Sequence, residues 1–124
     1  MKSVIVMALS VVLFACNSAD ENSLKQKGEL VNEQVQLDKN VMELIKSAEE
    51  SGDKRFLATS GRRVTFPGIS EEEEYKVKLC GGYRFMEETG DVISNEKQRE
   101  NRKQTIEIMA EFNRYMLKHC NVNE

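Results

Sequence analysis

The chain has 124 residues with 18 basic and 21 acidic side chains, which give a net charge of −3, and it contains no Trp. This length and the few aromatic residues predict one small domain with a small hydrophobic core. An acidic balance without a concentrated basic face argues against nucleic acid as a partner and against electrostatic docking on anionic lipid.

The N-terminus carries an almost uninterrupted apolar run over residues 4–15. A run of this length is shorter than the roughly 20 residues that a membrane-spanning helix needs, and it has the proportions of the apolar region of a signal peptide. The run closes with Leu13-Phe14-Ala15-Cys16, after which the chain turns polar at once. This ending resembles the lipobox of bacterial lipoprotein signal peptides.

The resemblance implies that residues 1–15 are removed, that a diacylglycerol is attached to the thiol of Cys16, and that the new amino group can be acylated as well. Two acyl chains are enough for stable membrane attachment. Asn17 stands where an aspartate would favour the inner membrane, so the resemblance implies a lipid-anchored protein that faces the periplasm, with the outer membrane favoured. This covalent lipid is the only cofactor expected, and residues 17–124 resemble no family that we recognise.

The remaining cysteines suggest a covalent link within the exported domain. Once Cys16 is assigned to lipid, Cys80 and Cys120 form an even pair in an oxidising compartment, which predicts a disulfide. Two free thiols are the alternative. A metal site that uses His119 would have too few ligands, so no metal is expected.

The mature chain begins with a short polar stretch and continues as a helix. Residues 16–23 are interpreted as the lipidated cysteine and a tether, and residues 24–124 as a single domain facing the periplasm. Apolar residues at helical spacing predict a long helix over about 24–50. Leu30, Leu37 and Leu44 lie seven residues apart, so this helix can pack within its own domain or pair as a coiled coil. The short repeat and the polar Gln34 favour packing within the domain.

The next segment has the pattern of a β-hairpin over about residues 55–66. Two β-prone runs are separated by Ser60-Gly61, and Pro67 stops the second run. Arg62 and Arg63 lie next to each other and are candidates for binding an anion or an acidic partner, although solvated charge is the commoner role of such a pair.

Residues 71–80 fit two structures. Ser70 and Glu73 have the spacing of a capping box, which predicts a short helix. Tyr75, Val77 and Leu79 alternate with lysines, and Tyr83 and Phe85 alternate around Arg84, which is typical of two strands joined through Gly81-Gly82. We favour the helix.

A final long helix is predicted over about 95–119 from its apolar spacing and from Ser94, which can cap its start. A helix of this length is almost 40 Å long, so a simple antiparallel helical pair would separate Cys80 from Cys120 by more than about 20 Å. The disulfide therefore predicts that residues 81–94 run back along the last helix in an extended form.

These elements predict a mainly α fold with a small β element, of the α+β class. The chain has one histidine and no recognisable catalytic group or phosphate-binding loop, so no catalytic residue is nominated and no enzymatic activity is expected. The leading hypothesis is a lipid-anchored envelope protein that binds another envelope component, as an accessory, exclusion or inhibitor factor. The alternative is a structural lipoprotein that self-associates through helix 24–50, and a small hydrolase is a distant third.

Overall fold

A computed structural model describes residues 19–86 and 92–121, with side chains from residue 26 onward. In chain order the elements are α1 (Ala19–Ser51), β1 (Phe56–Ala58), a 3-10 turn (Glu71–Glu73), α2 (Glu74–Leu79), β2 (Tyr83–Phe85) and α3 (Glu96–His119). The α+β class is confirmed. Residues 1–18, which include the predicted leader and Cys16, lie outside the described part of the chain.

The two long helices pack side by side and run in the same direction. Tyr115 near the end of α3 donates a hydrogen bond of 2.7 Å from its hydroxyl to the carboxylate of Glu49 near the end of α1. Earlier in both helices, Leu37 and Ile108 line one cavity between α1 and α3. The core lies between these helices and β1, and its buried members are Val41, Ile45, Ala48, Phe56, Leu57, Val77, Met109, Phe112 and Met116.

A fully buried asparagine on α3 holds β1 in place. The amide oxygen of Asn113 accepts the N–H of Leu57 at 2.8 Å, and its amide nitrogen donates to the C=O of Leu57 at 2.9 Å. The same nitrogen donates to the C=O of Pro67 at 2.9 Å. Asn113 therefore meets one edge of β1 as a neighbouring strand would, and this satisfies backbone groups that are shut off from water.

The other edge of β1 pairs in parallel with β2, in the register Phe56↔Tyr83, Leu57↔Arg84 and Ala58↔Phe85. The predicted hairpin over residues 55–66 is therefore wrong in its pairing. The only remnant of it among the described residues is a single antiparallel bridge between Thr59 and Thr65. Burial explains the difference, because β1 is wholly buried whereas residues 61–65 are exposed and have no apolar face to cover it.

The helix boundaries agree with the sequence except at the start of α1. This helix begins at Ala19, so the stretch interpreted as a tether is helical from that residue. The cap of α3 is Asn95 and not Ser94, because the Asn95 side chain accepts the N–H of Gln98 at 2.9 Å. The hydroxyl and the N–H of Ser70 donate to the Glu73 carboxylate at 2.8 and 3.2 Å, as the capping pattern predicted. Residues 71–79 are helical, as favoured, and of the two strands in the alternative only the second is present, as β2 after Gly81 and Gly82. Residues 87–91 of the predicted return path lie outside the described residues.

A tight turn over residues 66–69 follows the exposed loop and packs against α3. The N–H of Ile69 donates to the C=O of Phe66 at 3.0 Å, and Gly68 has a φ of 79° in the third position, as a type II turn requires. A Cβ atom on Gly68 would lie only 2.8 Å from the Cα of Ala110. The turn can therefore approach the backbone of α3 only because residue 68 is glycine.

Gly68→Ala is expected to lower the free energy of unfolding by about 2–4 kcal/mol, because the new methyl group meets rigid backbone and the left-handed conformation disfavours alanine. Urea denaturation followed by circular dichroism measures the change. Gly28→Ala is the matched control, since Gly28 has open space around its Cα in helix α1, and it is expected to be neutral or stabilising by up to about 1 kcal/mol. Equal effects at the two positions would contradict the close packing of the turn on α3.

Candidate functional site

Exposed aromatic side chains gather where α2 and β2 meet. We call this surface the aromatic patch and define it as Phe66, Tyr75, Leu79, Tyr83 and Phe85. Tyr83 forms edge-to-face ring contacts with Phe66 at 5.2 Å and with Phe85 at 5.5 Å between ring centroids. Leu79 and Tyr75 are 61% and 57% exposed, and Phe85 is 50% exposed. Phe66, Tyr75, Leu79 and Tyr83 also line a shared open cavity of about 450 Å³.

The elements place these side chains together for simple geometric reasons. Tyr75 and Leu79 are one helical turn apart and share a face of α2, whereas Tyr83 and Phe85 alternate with Arg84 and share a face of β2. Only eight aromatic residues occur in the chain, and four of them belong to this patch. Because aromatic side chains are enriched where proteins bind one another, the patch is a candidate interaction surface.

A second apolar surface lies on the first half of α1. Val31, Val35 and Met42 are 58–63% exposed and follow one another on one side of the helix. The predicted coiled-coil positions are divided between two environments, because Leu37 and Leu44 pack against the core of their own domain and Leu30 is exposed. The heptad spacing alone did not single out the stripe of Val31, Val35 and Met42.

The adjacent arginines of the exposed loop form no described contact with the aromatic patch or with the exposed stripe on α1. Arg62 and Arg63 are both exposed in the bend that follows Ser60. Neither forms an ion pair with any of the residues described. They remain candidates for binding an anion or an acidic partner.

A charged cluster lies at the start of β1 and beside β2. The Arg55 guanidinium donates two hydrogen bonds of 2.9 Å to the Asp53 carboxylate, and the Arg55 N–H adds a third at 3.2 Å. These side-chain and backbone hydrogen bonds, and the nearby charges of Arg55 and Arg84, hold the pKa of Asp53 well below its usual range. The Nε atom of Arg84 lies 3.8 Å from the same carboxylate, which is too long for a hydrogen bond.

The lowered pKa of Asp53 gives a pH-dependent contribution to stability. This contribution is fully present above the ordinary aspartate pKa of about 3.9 and is lost as the pH falls through the lowered folded-state pKa. On acidification, Asp53→Asn is therefore expected to lose less stability than the unchanged protein. Urea midpoints measured across a pH series test this. Arg55→Gln should also reduce the loss of stability on acidification, because it removes the guanidinium that donates to the Asp53 carboxylate. Identical profiles for all three proteins would contradict the assignment.

The described cysteines form a disulfide, and the described acidic, histidine and cysteine side chains form no metal site. Cys80 at the end of α2 and Cys120 just after α3 form a disulfide, with their Cα atoms 5.6 Å apart, and Cys16 lies outside the described residues. No cluster of acidic, histidine and cysteine side chains within residues 19–86 and 92–121 could hold a metal ion. None of the helices in these segments combines the length and the apolar character needed to cross a membrane.

Comparison of the chain with models of known protein families, with curated proteins and with solved structures finds no match. The aromatic patch and the exposed stripe on α1 are therefore candidate interaction surfaces on the basis of their geometry.

Proposed function

We propose that this protein is a non-enzymatic, lipid-anchored component of the bacterial cell envelope that faces the periplasm, preferentially from the outer membrane, and binds another envelope component. The observation that carries the proposal is the distribution of cysteines. Cys80 and Cys120 are joined to each other, and the third cysteine of the chain, Cys16, ends a stretch that resembles a lipobox.

The position of α1 supports a role in presenting the domain at a distance from the membrane. The helix begins at Ala19, three residues after Cys16, and among its side chains described from residue 26 onward the first buried one is that of Val41. At 1.5 Å per residue, about 33 Å of helix separates these two points. With Cys16 in the lipid, the exposed side chains of Val31 and Val35 lie between the membrane and the core, where other envelope proteins can reach them.

In-cell photocrosslinking tests partner binding directly. A photoreactive amino acid placed at Val35 or at Tyr75 samples the two exposed apolar surfaces. The matched control is Glu33, which is also exposed and lies about 160° around α1 from Val35. The proposal predicts a discrete adduct with a different protein from Val35 or Tyr75 and none from Glu33. No adduct from either apolar surface, or equal adducts from Glu33, would contradict it.

The second candidate is a structural lipoprotein that self-associates through helix 24–50. The exposed stripe of Val31, Val35 and Met42 favours it, because a second copy anchored in the same membrane would present this stripe in parallel. Confinement to a membrane raises the effective concentration, so a small interface can suffice. Sedimentation of the purified mature protein in detergent is expected to show an oligomer that Val35→Asp converts to a monomer and Gln36→Asp does not. A monomeric unchanged protein would end this candidate.

A further inference from the structure

The outer edge of β2 presents backbone groups that lack a partner among the described residues. Phe56 donates its N–H to the C=O of Gly82 at 3.0 Å, and Met86 donates its N–H to the C=O of Ala58 at 3.2 Å. In a parallel ladder, alternate residues of a strand bond to the same neighbour. Tyr83 and Phe85 therefore direct their N–H and C=O groups away from β1, so two donors and two acceptors form an open edge.

The two sides of this edge differ in chemistry. Tyr83 and Phe85 point to one side and belong to the aromatic patch, whereas Arg84 points to the other side. The Nε atom of Arg84 is buried and has no hydrogen-bond partner among the residues described. Its nearest carboxylate, that of Asp53, is 3.8 Å away and is already bound by two nitrogens of Arg55. The Arg84 side chain is one-third exposed, so its charge is open to a further anion.

A second copy of this chain fits the edge poorly. Antiparallel pairing of β2 with β2 of another copy, centred on the strand, would place Arg84 directly opposite Arg84. Like charges in directly opposed positions of neighbouring strands destabilise the pairing. The charge of Arg84 therefore disfavours self-pairing and favours a strand of different sequence.

We infer that the open edge of β2 binds an extended segment of a partner protein, which adds as a third strand and carries a carboxylate opposite Arg84 with an apolar side chain on either side of it. The backbone of the segment would bond to Tyr83 and Phe85, as in other cases of strand addition. Its two apolar side chains would point to the side of the aromatic patch, because neighbouring residues in a strand alternate. This inference deepens the proposed partner-binding function and rests on it.

A displayed library of random ten-residue peptides, selected against the purified full mature chain with its disulfide intact, is the first test. The expected consensus is an acidic residue flanked by apolar residues. The Arg84→Glu variant is expected to select Lys or Arg at that position instead, and a peptide with the original consensus should bind this variant at least about fivefold more weakly than the unchanged protein. No enrichment, or a consensus that Arg84→Glu leaves unchanged, would overturn the inference.

The backbone contribution is tested with a matched pair of variants. Phe85→Ala removes the ring and keeps the outward N–H, whereas Phe85→Pro removes both and leaves the ladder to β1 unaltered. The selected peptide should bind the proline variant at least about tenfold more weakly than the alanine variant. In the unchanged protein, the peptide should slow hydrogen exchange of the Tyr83 and Phe85 amides. Binding that protects neither amide would overturn the inference even where the proline variant fails to fold.

These measurements separate failure of the inference from failure of the proposed function. Peptide binding to the purified protein does not depend on lipid or on the natural partner, so the edge can bind even where Cys16 proves unmodified. Conversely, an in-cell adduct from Val35 would still support partner binding if the edge of β2 bound no peptide.

Discussion

Asn113→Leu is expected to lower the free energy of unfolding by about 2–6 kcal/mol, because two buried backbone groups lose their hydrogen-bond partner at a cost of about 1–3 kcal/mol each, and a third, part-buried group loses its partner as well. These groups are the N–H and the C=O of Leu57 and the C=O of Pro67. A leucine fills the space of the amide and satisfies none of them. Small domains have about 5–15 kcal/mol of total stability, so this variant should lose a large share of it. Urea denaturation followed by circular dichroism measures the loss.

Two further variants separate hydrogen bonding from packing at this position. Asn113→Asp keeps an acceptor for the Leu57 N–H and loses both donors, so it should be destabilising as well. Arg114→Ala, at the exposed neighbouring residue, should change stability by no more than about 0.5 kcal/mol. A loss below about 1 kcal/mol for Asn113→Leu would show that β1 does not depend on the amide.

Removal of the Cys80–Cys120 disulfide is expected to have the other large effect. The bridge spans a sequence separation of 40 residues, and closing such a loop in the unfolded chain corresponds to about 4 kcal/mol on the chain-entropy account. It also ties α2 to the end of α3, so the double variant Cys80→Ser/Cys120→Ser should loosen the α2–β2 region first. Denaturation curves and amide exchange of Val77 report the two consequences.

Reduction of the unchanged protein provides the control for this prediction. A reductant should lower its stability to that of the double serine variant, and it should leave that variant unaffected. A double variant as stable as the oxidised protein would contradict a stabilising role for the bridge.

The parts of the fold that depend on local patterns could be predicted from the sequence. Helix α3, the capping interaction of Ser70 with Glu73, and the helix and strand on either side of Gly81 and Gly82 all follow from neighbouring residues. The hairpin prediction was wrong because β1 is paired by residues far along the chain, namely β2 and Asn113. Local propensity cannot distinguish a buried strand that pairs at long range from one that pairs with the next run.

The candidate surfaces were less predictable. The disulfide was predicted correctly, because the number of cysteines that remain after Cys16 can be counted without knowledge of the fold. The heptad of Leu30, Leu37 and Leu44 did not indicate that its later members pack in their own core. The alternation of Tyr83 and Phe85 around Arg84 was visible in the sequence, but only the fold shows that these rings meet Phe66 and that no residue within 19–86 and 92–121 pairs with the edge beside them.

We propose above all that Cys16 is the membrane anchor of a domain that a disulfide links internally. The intact mass of the protein extracted from membranes, measured with and without reduction and thiol alkylation, tests it most directly. We predict a mass that lacks residues 1–15 and includes acyl groups, with two thiols alkylated only after reduction. An unprocessed chain without lipid, with thiols that are alkylated before reduction, would contradict the anchor, the envelope location and the bridge together.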